Sequence, residues 1–92
     1  MKPEDLSQIK NDFTSFFQQI QDLINDNKLF QEIIGDYIDC KHTIDNLVKK
    51  HDKKSKEVLN DYLSLQKDLE KEIYLQLKKN KTHQNYKIRG EI

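Results

Sequence analysis

Apolar side chains recur at three- and four-residue intervals through the first 24 residues of the chain. They are Leu6, Ile9, Phe13, Phe16, Phe17, Ile20, Leu23 and Ile24. This spacing keeps the whole set on one face of an α-helix. Pro3 favours a helix start nearby, because its missing N–H has no intrahelical partner in the first turn. The pattern therefore predicts one amphipathic helix over residues 3–24.

Three polar residues at positions 25–27 interrupt this first stripe. Asn25, Asp26 and Asn27 have side chains that hydrogen-bond their own backbone, which favours a tight turn or a sharp kink. With Asn25 as the helix cap, Ile24 and Leu29 occupy the two positions of a hydrophobic staple. We therefore expect a second helix to begin at about residue 28.

A second apolar stripe predicts a helix over residues 28–50. Its members are Leu29, Phe30, Ile33, Ile34, Tyr37, Ile38, Ile44, Leu47 and Val48. Gly35 lies inside this stripe, where glycine costs about 1 kcal/mol relative to alanine. The glycine indicates either an exposed position that tolerates it or the close approach of a neighbouring helix.

The segment between Val48 and Val58 has no apolar residue and carries five lysines. We place a chain reversal at residues 49–56, with Ser55 as the N-cap of a third helix over residues 55–79. The apolar residues of this third helix are Val58, Leu59, Tyr62, Leu63, Leu65, Leu69, Ile73, Leu75 and Leu77. Because the second and third helices have similar lengths, the sequence predicts an all-α fold with a coiled-coil-like antiparallel helical hairpin. The additional N-terminal helix either completes a three-helix bundle or packs on a second copy of the chain.

The main structural alternative is a single continuous helix of about 50 residues that dimerises, because the four-three alternation continues through residues 49–56 if polar seam positions are accepted. The charge distribution favours the hairpin instead. Residues 1–48 hold nine acids and four bases, and residues 49–92 hold seven acids and twelve bases. Halves of opposite charge attract each other through many weak surface contacts, which favours packing within one chain.

The apolar stripe ends after residue 79, and only Tyr86, Ile88 and Ile92 follow as scattered large apolar residues. The sequence therefore predicts a single helical domain at residues 1–79 and a flexible C-terminal tail at residues 80–92. The alternative for this tail is a docking segment that becomes ordered only on a partner.

No group of residues carries a recognisable chemistry. Cys40 and His42 come closest to a metal site, but side chains two residues apart on a helix point about 200° from each other. The sequence has no converging nucleophile and base and no glycine-rich phosphate loop. We therefore expect no catalytic residues, no metal, no cofactor and no enzymatic activity.

Several features predict a cytoplasmic protein. The single cysteine, Cys40, excludes an internal disulfide and suits a reducing compartment. The longest uninterrupted apolar runs are two residues long, which excludes a membrane-spanning helix. The charged N-terminus contains no apolar signal region.

The function favoured by the sequence is that of a small, non-enzymatic helical protein–protein interaction module, adaptor or chaperone-like. The apolar faces of the three helices are wider than a two-helix seam can cover, so the surplus packs either on the first helix or on a partner. The candidate interaction surface consists of Phe13, Phe16, Phe17 and Ile20 on the first helix. The expected partner is another protein or a second copy of the chain, which includes a homodimer.

The alternative function is weak nucleic-acid binding through the lysine-rich turn at residues 49–56 and the basic tail. Those two basic groups lie about 35 Å apart, at opposite ends of the third helix. Lysine also dominates where base recognition favours arginine. The sequence therefore disfavours nucleic acid as the partner.

Overall fold

The computed structural model describes the backbone of residues 2–91 and the side chains of residues 2–79. The elements in chain order are α1 (Pro3–Asp12), a 3₁₀ turn (Thr14–Phe16), α2 (Phe17–Asp26), α3 (Lys28–Val48) and α4 (Lys53–Glu91). Within residues 2–91 there is no β-strand. The all-α prediction is therefore confirmed.

The helical hairpin is formed by α3 and α4, which pack closely along their lengths. The Cys40 thiol on α3 donates a hydrogen bond to the Tyr62 carbonyl oxygen on α4 at 3.4 Å, which fixes the antiparallel register. The chain reverses at residues 49–52, inside the predicted interval, so a continuous helix through residues 49–56 does not form. The second helix ends at residue 48 rather than 50, and the third begins at residue 53 rather than 55.

The N-cap of α4 is Asp52, so the prediction of Ser55 as the cap is wrong. The backbone N–H of Ser55 donates to Asp52 Oδ2 at 3.1 Å, and the Ser55 hydroxyl donates to Asp52 Oδ1 at 2.7 Å. A carboxylate in this position satisfies a free N–H of the first helical turn and favours the positive end of the helix dipole. The Ser55 hydrogen bonds hold the pKa of the Asp52 carboxyl below its ordinary value of 3.8.

The predicted continuous helix over residues 3–24 is also wrong, because the chain leaves helical geometry at Phe13. The backbone there has φ −131° and ψ 49°, and the 3₁₀ turn follows before α2 begins. The Thr14 hydroxyl donates to the Lys10 carbonyl oxygen at 2.8 Å, a side-chain bond that competes with continued helix. The break divides the predicted helix into α1 and α2, and both contribute buried residues to the core.

The turn between α2 and α3 is capped by Asn27 rather than by Asn25. The Phe30 backbone N–H donates to Asn27 Oδ1 at 3.0 Å. Because α3 begins two residues later than a cap at Asn25 would require, Leu29 lies on the exposed face of α3 and the expected hydrophobic staple is absent from this turn. The Gln31 side-chain amide donates to the Ile24 carbonyl oxygen at 2.6 Å and joins the two helices.

The core lies where α1, α2 and α3 meet the second half of α4. Its buried members are Ile9, Phe13, Ile20, Leu23, Phe30, Ile33, Ile34, Tyr37, Ile38, Ile73 and Leu77. In this chain the N-terminal helices therefore pack on their own hairpin, as in the three-helix alternative. The third helix ends at Glu91 rather than at residue 79. The predicted flexibility of residues 80–92 stays a prediction, because their side chains lie outside the described part.

Candidate docking groove

The structure places two of the four predicted interaction residues in the core. Phe13 and Ile20 are buried, and Phe16 and Phe17 are half-buried against them. The Phe13 ring meets the rings of Tyr37 and Tyr74 edge-on, with centroids 5.4 Å apart in both pairs. Phe13 and Ile20 therefore hold the N-terminal helices on the hairpin and are not accessible to a partner in this conformation.

A cluster of polar contacts around Asp12 also holds α1 on α3. The buried Tyr37 hydroxyl donates to Asp12 Oδ2 at 2.6 Å, and the Gln8 amide donates to both Asp12 oxygens at 3.0 Å. Lys41 Nζ lies 3.7 Å from the same carboxylate. Burial first, and then the Asp12 carboxylate, raise the pKa of Tyr37 far above its ordinary value. The hydroxyl therefore stays protonated and acts as a hydrogen-bond donor that anchors α1.

The start of α1 is attached to α3 by a third contact, between His42 Nε2 and Asp5 Oδ1 at 3.2 Å. The Lys41–Asp12 pair is the one ion pair with a lysine or arginine found among the described side chains, and it joins α1 to α3 as the His42–Asp5 hydrogen bond does. The sequence predicts attraction between the acidic first half and the basic second half of the chain. Among the side chains of residues 2–79, however, no ion pair joins α3 to α4. Apolar packing holds the hairpin closed.

Beside the N-terminal helices, a cleft of about 490 Å³ opens between α1, α2 and α3. It is lined by Asp5, Ile24, Gln31, Gly35, Ile38 and Asp39. A Cβ built on Gly35 meets no heavy atom within 4 Å. Of the two interpretations of this glycine, the exposed, tolerated position is therefore the right one.

The other side of the hairpin is a groove between α3 and α4 that α1 and α2 do not enter. We call it the docking groove. It has a volume of about 260 Å³ and is lined by Asp36, Asp39, Cys40, Thr43, Tyr62, Leu65 and Leu69. Leu65 is 44% exposed, and both aspartates are exposed on the α3 edge. The groove thus combines an uncovered aliphatic surface with an acidic edge.

Sequence patterns gave only an indirect signal for this groove. Leu63 and Leu75 lie outside the four-three seam of the third helix, Leu65 lies inside it, and all three are exposed. Such surplus leucines indicate a wide apolar surface. They do not indicate on which side of the hairpin the N-terminal helices pack. The groove exists because these helices pack on the other side.

The thiol of Cys40 forms part of the groove wall but is itself buried. Burial raises the pKa of this thiol, so the nucleophilic thiolate is disfavoured. Cys40 therefore behaves as a small apolar residue whose S–H joins α3 to α4.

Ligand sets for metal ions do not form among the side chains of residues 2–79: no three His, Cys, Asp or Glu groups converge there. His42 is engaged with Asp5, and His51 is exposed in the α3–α4 turn. His83 lies outside the described side chains. The helices of the described part also lack any stretch long and apolar enough to span a membrane.

The lysine-rich turn is located at one end of the hairpin, next to the start of α4. From Lys53 to Lys79 the helix rises about 39 Å. The basic residues of the turn and those that begin at Lys78 are therefore far apart. They do not combine into one positively charged surface within the described side chains.

Comparison with protein-family models, with curated proteins and with solved structures finds no match to this chain. Function therefore has to be inferred from the chain's own residues and from the geometry that they adopt.

Proposed function

We propose that this protein is a small, non-enzymatic protein–protein interaction module that binds an α-helix of another polypeptide in the docking groove. The observation that supports this proposal most directly is a groove between α3 and α4 that α1 and α2 leave uncovered, although both helices pack on the same hairpin. Grooves between two helices accept a third helix through apolar residues spaced three and four apart. We expect it to act in the cytoplasm, where Cys40 stays reduced.

The chemistry of the groove specifies the kind of helix that fits. Leu65 and Leu69 supply an aliphatic surface for leucine-like anchors. Asp36 and Asp39 on the α3 edge place negative charge beside that surface. Complementary charge across an interface increases the association rate and selects against wrong partners. The best-fitting ligand is therefore an amphipathic helix with an aliphatic stripe flanked by lysine or arginine.

The proposed function is tested by titrating the full chain with two fluorescent amphipathic peptides that share the same leucines. One peptide carries lysines beside the leucine stripe and the other carries glutamates. We expect the basic peptide to bind and the acidic one to bind at least about tenfold more weakly at low salt, because the groove edge is acidic. Equal affinities for the two peptides would contradict the proposal.

A matched pair of variants locates the binding site on the protein. Leu65→Lys puts a charge into the groove, whereas Leu63→Lys puts the same charge on α4 about 200° away. The two leucines have similar exposure, 44% and 40%. Leu65→Lys should weaken binding of the basic peptide and Leu63→Lys should leave it unchanged; the opposite order would place the site elsewhere.

A further inference from the structure

We propose that the docking groove binds a second copy of this chain, and that the bound segment is the lysine-rich end of the partner's α4, residues 78–91. This inference rests on the proposed function, because it names the partner of the same groove. It predicts an antiparallel, two-fold symmetric dimer in which each copy contributes one groove and one basic helix end.

The first argument comes from the exposed flank of α4. Asp61, Leu65, Asp68, Glu72, Leu75 and Lys79 follow one another at alternating intervals of four and three residues. We call these six residues the outer stripe. All are exposed except Glu72, which is half-buried. A four-three spacing is the pattern by which two long helices pack along each other.

The second argument is charge. The outer stripe is acidic from Asp61 to Glu72, and the adjoining groove edge adds Asp36 and Asp39 from α3. Residues 78–91 have the opposite sign, with five bases and one acid. They also supply large apolar side chains at Tyr86 and Ile88. The chain therefore contains both an acidic apolar groove and the kind of basic segment that complements it.

The third argument is geometric. Residues 78–91 continue the same helix that forms one wall of the groove, because α4 runs without interruption from Lys53 to Glu91. A helix cannot fold back onto its own side, so this segment has no access to the groove of its own chain. It can reach only the groove of another copy.

Symmetry then fixes the register. In an antiparallel pair of α4 helices, the acids of one copy meet the bases of the other when the two-fold axis lies near Leu75. Asp61 is fourteen residues before Leu75 and Arg89 is fourteen residues after it. A two-fold interface brings a residue on the axis against its own copy. The 45% exposure of Leu75, a large aliphatic residue pointing away from the core, is explained by this position.

The decisive experiment reverses charges in the full chain and measures the dimer dissociation constant by sedimentation at low salt. Asp61→Lys and Arg89→Glu should each weaken the dimer by about fivefold or more, since every reversal affects two symmetric contacts. The double variant should restore it. The two positions are about 42 Å apart along one helix, so the restoration can arise only between copies. A monomer at all concentrations, or no restoration, would overturn the proposal.

Cross-linking gives a second measurement that does not depend on charge. In a Cys40→Ala background, Leu75→Cys should be joined between copies by a short bismaleimide, because the two side chains meet near the axis. Leu63→Cys, exposed to a similar degree, should not be joined. Equal cross-linking at both positions would overturn the proposed register. If the chain is monomeric but still binds the basic peptide through Leu65, the docking function stands and only the identity of the partner is wrong.

Discussion

The two sides of the α3–α4 hairpin are built from the same pair of helices but are completed in different ways. On one side, α1 and α2 insert Ile9, Phe13 and Ile20, and Asp12 accepts a hydrogen bond from the buried Tyr37. On the other side, Leu65 and Leu69 line a groove that receives no further helix within the described chain. The difference shows that aliphatic surface alone does not decide which side is covered.

Aromatic shape and one polar contact distinguish the covered side. Phe13 fits edge-on between Tyr37 and Tyr74, an arrangement worth about 0.5–1.5 kcal/mol per ring pair beyond area burial. The open side offers exposed acids instead of aromatic rings facing the groove from α3. The helices α1 and α2 therefore pack on the aromatic side of the hairpin. The acidic side stays open, and we expect a basic partner to bind there.

The largest effect should come from removing the central aromatic residue of the covered side. Phe13→Ala should lower the free energy of unfolding by about 3–5 kcal/mol, because it empties a buried ring site. Leu65→Ala, on the open side, should cost well under about 1 kcal/mol, since the residue is already nearly half exposed. Urea unfolding of both variants measures the contrast. Similar losses for the two would mean that the groove is part of the core.

A smaller loss is expected when the polar anchor of α1 is removed. Asp12→Ala leaves the buried Tyr37 hydroxyl without its acceptor, which should cost about 1–3 kcal/mol. Asp22→Ala is the control, because that exposed acid of α2 bonds only the neighbouring Gln18 amide, and it should change stability by less than about 0.5 kcal/mol.

The same contact can be checked by a double-mutant cycle with Tyr37→Phe. If the hydroxyl and the carboxylate stabilise each other, the double variant should lose less than the sum of the two single variants, with a coupling of about 0.5–3 kcal/mol. Strict additivity would show that Asp12 stabilises α1 through Gln8 and Lys41 rather than through Tyr37.

The cleft beside Gly35 leaves room for a substitution that should stabilise the protein instead of destabilising it. Gly35→Ala should raise the free energy of unfolding by about 1 kcal/mol, since alanine favours the helix and its Cβ meets nothing within 4 Å. Thermal unfolding in parallel with urea unfolding measures the gain. A loss of stability would mean that α1 and α2 lie closer to α3 than the cleft indicates.

Sequence patterns were sufficient for the hairpin because its two determinants are local. The apolar stripes of α3 and α4 define the two helices. The absence of apolar residues at 49–56 defines where the chain reverses. The break at Phe13 has no such signal. Phe13 keeps the three-four spacing whether or not the helix continues. Besides the local Thr14 hydrogen bond, contacts of Phe13 with Tyr37 and Tyr74, distant in sequence, stabilise the interruption.

The candidate site was harder to predict for the same reason. Phe13 and Ile20 have the pattern of an exposed amphipathic face, yet they fill the core once α1 and α2 fold onto α3. Leu65 has the pattern of a core leucine, yet it lies in the open groove. Periodicity identifies which residues share a face, whereas the choice of covering helix depends on shape and hydrogen bonding between distant segments.

The smallest effect concerns the turn that both sides of the hairpin share. The Ser55 bonds lower the pKa of Asp52, so the folded chain keeps this carboxylate ionised at a lower pH than the unfolded chain does. The contribution of this carboxylate to the free energy of unfolding is therefore fully present above the unfolded pKa near 3.8. It is lost as the pH falls through the lower pKa of the folded chain.

Comparison of the native chain with Asp52→Asn isolates this contribution, because asparagine keeps an N-cap oxygen but carries no charge. The stability difference, measured by urea unfolding, should be largest near neutral pH and should shrink as the pH falls below the ordinary carboxyl value of 3.8. A difference that stays constant with pH would show that the charge of Asp52 contributes nothing to stability. The position of the turn would then depend only on the absence of apolar side chains at residues 49–56.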